Sequence, residues 1–156
     1  MDEINRVMEG KGHTVHQIMT AILAGGHILI EDIPGVGKTT LALAFSKVLG
    51  LDYQRIQFTP DIMPTDIAGF SIYHQGSEEF EFKEGAAMTN LLLADEINRT
   101  SPKTQSALLE AMEEGQITVD GITRDLPDPY IVIATQNPFW FYWNTLASRI
   151  TVRPIY

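Results

Sequence analysis

Residues 27–49 read HILIEDIPGVGKTTLALAFSKVL: a short apolar run, a turn crowded with proline and glycine, and a stretch with helical spacing. Residues 27–30, flanked by turn residues, read as a strand buried on both faces. Pro34, Gly35 and Gly37 force a loop. From 38 to 49 the apolar positions Leu41, Leu43, Phe45, Val48 and Leu49 fit a helix, with Gly50 as its stop. A strand, a glycine loop and a helix in that order open a parallel α/β sheet.

The pattern then repeats. Upstream, Val15, Ile18, Met19, Ile22 and Leu23 predict a core-facing helix over 14–24, ended by Gly25 and Gly26. Downstream, strands are predicted over 53–58, 91–94 and 130–135. Between the last two, Ser101 as N-cap, Pro102 in the first turn and Gly115 at the end mark a helix whose Leu108, Leu109 and Met112 should face the sheet. Two alternating pairs read as hairpins: 70–73 with 80–82 across 74–79, and 117–119 with 122–124 across Asp120-Gly121. The expected fold class is α/β, a parallel sheet with helices on both faces.

At 156 residues this is one domain's worth of chain. A hydrophobic content of 44% with 20% charged residues suits a globular chain, and no apolar run is long enough to span a bilayer. The polar start, MDEINRVMEGKGH, does not read as a secretory signal. The absence of cysteine excludes disulfides, thiolate metal sites and a cysteine nucleophile, so a cytoplasmic setting is expected. A net charge of −9 argues against a surface built to neutralise many phosphates, and direct nucleic-acid binding is not expected.

A single nucleotide needs only a local site, and residues 32–40 offer one. Gly37, Lys38 and Thr39 fit the phosphate-loop pattern, with Asp32 where its first glycine usually stands. The backbone of Pro34, Gly35, Val36, Gly37, Lys38, Thr39 and Thr40 can close around phosphate oxygens, the N–H donors coming from each of these residues except Pro34. Lys38 reaches the β- and γ-phosphates and Thr39 offers a hydroxyl to Mg²⁺. The expected cofactors are ATP and Mg²⁺, and GTP stays open because triphosphate contacts do not read the base. A second cluster stands where the strand over 91–94 runs into Asp95 and Glu96 at the sheet's C-terminal edge, where such folds bind ligands. Asp95 would hold Mg²⁺ and Glu96 would orient or activate water. The plain alternative is an acidic pair capping a helix. A third strand ends in Thr135, Gln136 and Asn137 before Pro138, where a neutral amide could hold the γ-phosphate or the water; Asn-Pro after a strand is also ordinary turn chemistry.

Taken together, IEDIPGVGKTT, TPDIMPTD at 59–66, LLLADEINRTSPKTQSALLEAMEE and IATQNP resemble the MoxR family of AAA+ ATPases over about 25–138. The resemblance implies a P-loop NTPase with Lys38 and Thr39 as Walker A, Asp95 and Glu96 as Walker B and Asn137 as sensor 1. It also implies a clade-specific hairpin insert around 70–82, and acceptance of Asp32 at the first-glycine position. Lys11 departs from the glutamine relatives carry after Gly10. Members form hexameric rings, act as chaperone-like remodellers and often work with von Willebrand A-type partners. A non-catalytic nucleotide-binding fragment is the competing reading.

After Pro138 the resemblance stops, and the expected division is an ATPase core over 1–138 and an atypical aromatic tail over 139–156, with the family's lid and arginine-bearing segment missing. The tail carries both tryptophans, Trp140 and Trp143. Three readings compete: an aromatic docking tail, an expression fragment and a shifted reading frame. Tryptophan has one codon, so reading one base later forces glycine at both positions. The codons of 147–155 then permit Leu-Pro-Glu-Ser-Gln-Leu-Asp-Arg-Phe, which resembles the family's missing segment and favours the frame shift over the docking tail.

Overall fold

The computed structural model describes residues 12–31 and 37–136, together with the backbone of 151–155. Helix α1 (Gly12–Leu23) precedes β1 (His27–Glu31), and α2 (Lys38–Leu49) leads to β2 (Tyr53–Gln57). A short α3 (Pro64–Ala68) feeds the hairpin β3 (Gly69–His74) and β4 (Glu79–Glu84). Then come β5 (Leu91–Asp95), a 3₁₀ turn (Ile97–Arg99) and α4 (Pro102–Glu114). The second hairpin, β6 (Gln116–Val119) with β7 (Ile122–Asp125), precedes β8 (Ile131–Gln136) and β9 (Thr151–Ile155).

The main sheet runs β2-β5-β8-β1-β9. Its first four strands are parallel, as expected, whereas β9 pairs antiparallel with β1. The sheet is thus mixed at one edge, where β9 satisfies the outward ladder groups of β1. Alternate residues of the central strands feed two cores. Leu91, Leu93, Ile131, Ile133, Ile28 and Ile30 pack with Val15, Ile18, Leu41 and Phe45 of α1 and α2. On the other face Leu92, Ala94, Val132 and Ala134 pack with Leu108 and Ala111 of α4 and with Phe58 and Ile67. Helices therefore cover both faces, and full burial is worth about 1.5–3 kcal/mol for each large side chain.

An apolar run such as 91–93 cannot set its own register, because a slip replaces leucine by leucine. Its polar ends do so. At the start, the Asn90 side chain accepts the Asp52 N–H (3.3 Å) and donates to the Pro129 carbonyl (3.1 Å), aligning β2, β5 and β8. At the far end Asp95 emerges at the carboxyl edge.

Several expectations shift. Strand β2 stops at Gln57, and Phe58 is buried with its N–H on the Asp95 carbonyl (2.8 Å). Helix α4 begins and ends as expected, with Ser101 Oγ accepting the Thr104 N–H (3.3 Å) and Gly115 left-handed at φ 63°. Leu108 is buried, Met112 packs at the core margin, and Leu109 is corrected to the surface at 52% exposure. Leu109 sits one residue, about 100° of helix, beyond Leu108 and turns past the sheet. Leu23, at 80% exposure, escapes the core face of α1 for the same reason, and Leu43, Val48 and Leu49 lie on the outer side of α2.

Both hairpins form, each longer than expected. Asp120 and Gly121 are both left-handed (φ 53° and 75°), the combination that a two-residue hairpin turn requires. Arg124 stacks over Phe82, 3.9 Å from the ring centroid, tying one hairpin to the other. At the foot of the first hairpin Gly85 lies so close to α3 that a Cβ would sit 2.3 Å from the Ile67 carbonyl oxygen.

Candidate functional site

The carboxyl ends of β1, β8 and β5 form one continuous edge. Glu31 is level with Gln136, and Gln57 of β2 is level with Asp95. With β8 between them, the ends of β1 and β5 stand about 10 Å apart, twice the strand spacing, a separation suited to the charged end of a small ligand.

On the β1 side, α2 starts at Lys38 behind Gly37, whose left-handed backbone (φ 79°) serves as N-cap and brings no side chain of its own to the first-turn N–H groups. Gly37 and Thr40 are exposed, and Lys38 and Thr39 half-buried. A helix start presents backbone donors and the positive end of the helix dipole. The loop residues Asp32, Pro34, Gly35 and Val36, and also Asn137, lie outside the described residues.

On the β5 side, Asp95 Oδ2 accepts from Arg55 Nη2 (2.7 Å) and Nε (3.2 Å), while Oδ1 accepts from the Thr135 hydroxyl (2.6 Å). These three bonds leave roughly one of a carboxylate's ~4 lone-pair sites for a further donor such as a water on a cation. Glu96 turns the chain with a left-handed backbone (φ 57°, ψ 49°). Its N–H donates to Thr135 Oγ1 (2.9 Å), and its Oε2 accepts from Arg99 Nη1 (2.7 Å). The capping alternative is not realised: Glu96 precedes the 3₁₀ turn but makes no side-chain cap, and Asp95 is engaged across the sheet. Gln136 Nε2 donates to Glu31 Oε1, joining the ends of β8 and β1.

The structure thus brings Asp95 and Glu96 together with Thr135 on the neighbouring strand, and sets Gly37, Lys38, Thr39 and Thr40 one strand further along the same edge. The sequence reading assigned no partner to Asp95. Arg55 and Thr135 become its partners only once β2 and β8 are known to flank β5, and the one available signal is a lone cation on the strand before an acidic strand end. Among the described residues no three His, Asp or Glu side chains group to hold a metal. The donor set, one strand-end carboxylate with a helix-start hydroxyl, suits Mg²⁺ arriving on phosphates, since that ion takes one or two protein oxygens and keeps several waters.

The family model for the ATPase family associated with various cellular activities (AAA) matches residues 27–142, reaching past Pro138 into the expected tail. The chain belongs to this ATPase family, in its MoxR branch. Chaperone MoxR1 of Mycobacterium tuberculosis is 48% identical over 136 residues, covering 87% of this chain and 36% of the relative. Uncharacterized protein YeaC of Bacillus subtilis is 59% identical over 138 residues, 88% of this chain and 43% of the relative. A crystal structure of a candidate ATPase from Cytophaga hutchinsonii superposes with a TM-score of 0.77 at 45% identity, over 88% of this chain and 42% of that one. The AAA chain described here therefore spans less than half the length of these relatives. Among the described residues no helix is long and apolar enough to cross a membrane.

Proposed function

We propose that this AAA domain binds ATP with Mg²⁺ at the carboxyl edge of β1, β8 and β5 and hydrolyses it to drive remodelling of a partner protein. The observation that carries this reading is the joining of Asp95 and Glu96 through Thr135, one strand away from the start of α2 behind Gly37. In this reading the backbone of Pro34, Gly35, Val36, Gly37, Lys38, Thr39 and Thr40 cradles the phosphates, and Lys38 neutralises charge between the β- and γ-phosphates. Thr39 and Asp95 hold Mg²⁺, which when bound supplies charge neutralisation on the phosphate oxygens. Glu96 orients the attacking water and accepts its proton, and Asn137 holds the γ-phosphate. Assembly into a homo-oligomeric ring, a von Willebrand A-type partner and a cytoplasmic setting belong to the same proposal. Remodelling is supported by the name of the mycobacterial relative, and the setting by the absence of cysteine.

A second reading, nucleotide binding without turnover, draws on the Arg99 contact, which holds the Glu96 carboxylate back on its own turn. Glu96→Gln separates the two. If the domain turns over, this variant keeps nucleotide affinity and loses about 10²- to 10⁴-fold in hydrolysis rate, the usual contribution of a general base. Equal phosphate release by variant and wild type would overturn the catalytic reading. Competition between ATP and GTP for the site decides the base.

A further inference from the structure

Thr135 has no role in the proposed function above, yet its hydroxyl bonds to both acids. It is completely buried at the end of β8. Its single hydroxyl is used twice, donating to Asp95 Oδ1 (2.6 Å) and accepting the Glu96 backbone N–H (2.9 Å). The polarity is fixed: an N–H can only donate, so the hydroxyl proton must point at the carboxylate. Asp95 Oδ2 is meanwhile clamped by Arg55, so Thr135 supplies the remaining restraint on how that carboxylate faces the site.

The Glu96 backbone shows the same dependence. A non-glycine residue in the left-handed region persists only where its surroundings over-determine it, and such residues concentrate at functional sites. The restraints here include the Thr135 bond to the Glu96 N–H, the Arg99 N–H bond to the Glu96 carbonyl (3.0 Å) and the Arg99 side-chain bond to the Glu96 carboxylate. Removing the hydroxyl releases the Asp95 carboxylate from β8 and orphans the N–H that sets the Glu96 turn. Valine has nearly the same shape, so the core around position 135 stays filled.

We infer that Thr135 is a positioning residue that sets the geometry of Asp95 and Glu96 as one unit, and thereby the Mg²⁺ dependence of nucleotide binding. The inference rests on the ATP-binding reading above. Outer-shell partners of metal-holding groups typically change metal affinity by about 10- to 100-fold, and Thr135 stands in that relation to Asp95.

The test is titration of the full chain with a fluorescent ATP analogue at a series of Mg²⁺ concentrations, for wild type, Thr135→Val, Thr135→Ser and Lys38→Ala. Thr135→Val is expected to need about tenfold more Mg²⁺ for half-maximal binding, while Thr135→Ser, which keeps the hydroxyl, stays near wild type. Should the valine variant fail to fold, Thr135→Ser against Thr135→Ala carries the same comparison, since both lose the methyl and only one keeps the oxygen. Identical Mg²⁺ dependence in the hydroxyl-bearing and hydroxyl-free variants, with binding still weakened by Lys38→Ala, overturns the inference alone. Failure of the wild-type chain to bind overturns the ATP-binding reading and the inference together.

Discussion

His27 gives the fold a pH dependence whose sign and size follow from two hydrogen bonds. The ring lies at the start of β1, 8% exposed; Nδ1 accepts the Val132 N–H (3.0 Å), and Nε2 donates to the Met112 carbonyl (3.0 Å). Protonation would place a second N–H against the Val132 N–H. Tyr130 meets the ring edge-on at 5.8 Å; burial raises its own pKa, so it offers no negative charge in compensation. Burial accordingly lowers the His27 pKa below 6.5, outweighing the Met112 bond that acts in the opposite direction. A lowered histidine pKa means that the unfolded chain takes up the proton first. The stabilising contribution is therefore complete above pH 6.5 and is lost as pH falls below it. At pH 5.5 the loss is up to about 1.4 kcal/mol relative to pH 8, the full linkage slope over one unit.

His27→Asn supplies the control: it keeps an acceptor near Nδ1, does not titrate, and forfeits the Met112 bond, a cost of at least about 1 kcal/mol at any pH. Urea unfolding of both proteins at pH 8 and pH 5.5 cancels the carboxylate contributions they share. The stability gap should narrow on acidification, by no more than about 1.4 kcal/mol. A gap of the same size at both pH values would refute the account of His27 as a buried neutral ring.

Two further outcomes follow from packing and charge. Gly85→Ala should cost about 1–3 kcal/mol in a urea melt, the usual price of overpacking, because its Cβ meets the Ile67 carbonyl at 2.3 Å; a melt within 0.5 kcal/mol of wild type (~0.5 being typical of neutral surface changes) would show that α3 and the hairpin can part. Arg55→Gln should change stability by no more than about 1 kcal/mol, since the Arg55 side chain is 43% exposed and solvent screens the pair. A loss well beyond that would mark the ion pair as a structural anchor.

The parts of this molecule that local chemistry determines were legible in the sequence. The β5 run of leucines must be buried on both faces, Asp120-Gly121 must turn, and Ser101 and Gly115 bound α4 as caps should. The placement of Asp95 and Glu96 at the sheet edge followed from the end of that apolar run. What escaped depends on which strands become neighbours. Arg55 and Thr135 meet Asp95 only because β2 and β8 flank β5, a choice made by the tertiary fold. Leu109 and Leu23 carry apolar side chains at nearly correct spacing, and one step around the helix puts each outside. Helix α3 was missed because its first residue follows Met63, which has no capping oxygen; Asp66 instead reaches back to the Met63 N–H (2.8 Å). The edge strand 151–155 shows no period-2 apolar pattern, and β1 recruits it through backbone groups that carry no sequence signature.

The most direct test of the nucleotide site is equilibrium binding of a fluorescent ATP analogue to the wild-type chain and to Lys38→Ala in the presence of Mg²⁺. The wild type should bind saturably, with displacement by unlabelled ATP, and the variant should bind at least about tenfold more weakly, the loss of one charge-assisted phosphate contact being worth about 1.5–3 kcal/mol. Equal affinity in the two proteins would contradict the assignment of the α2 start as the phosphate site.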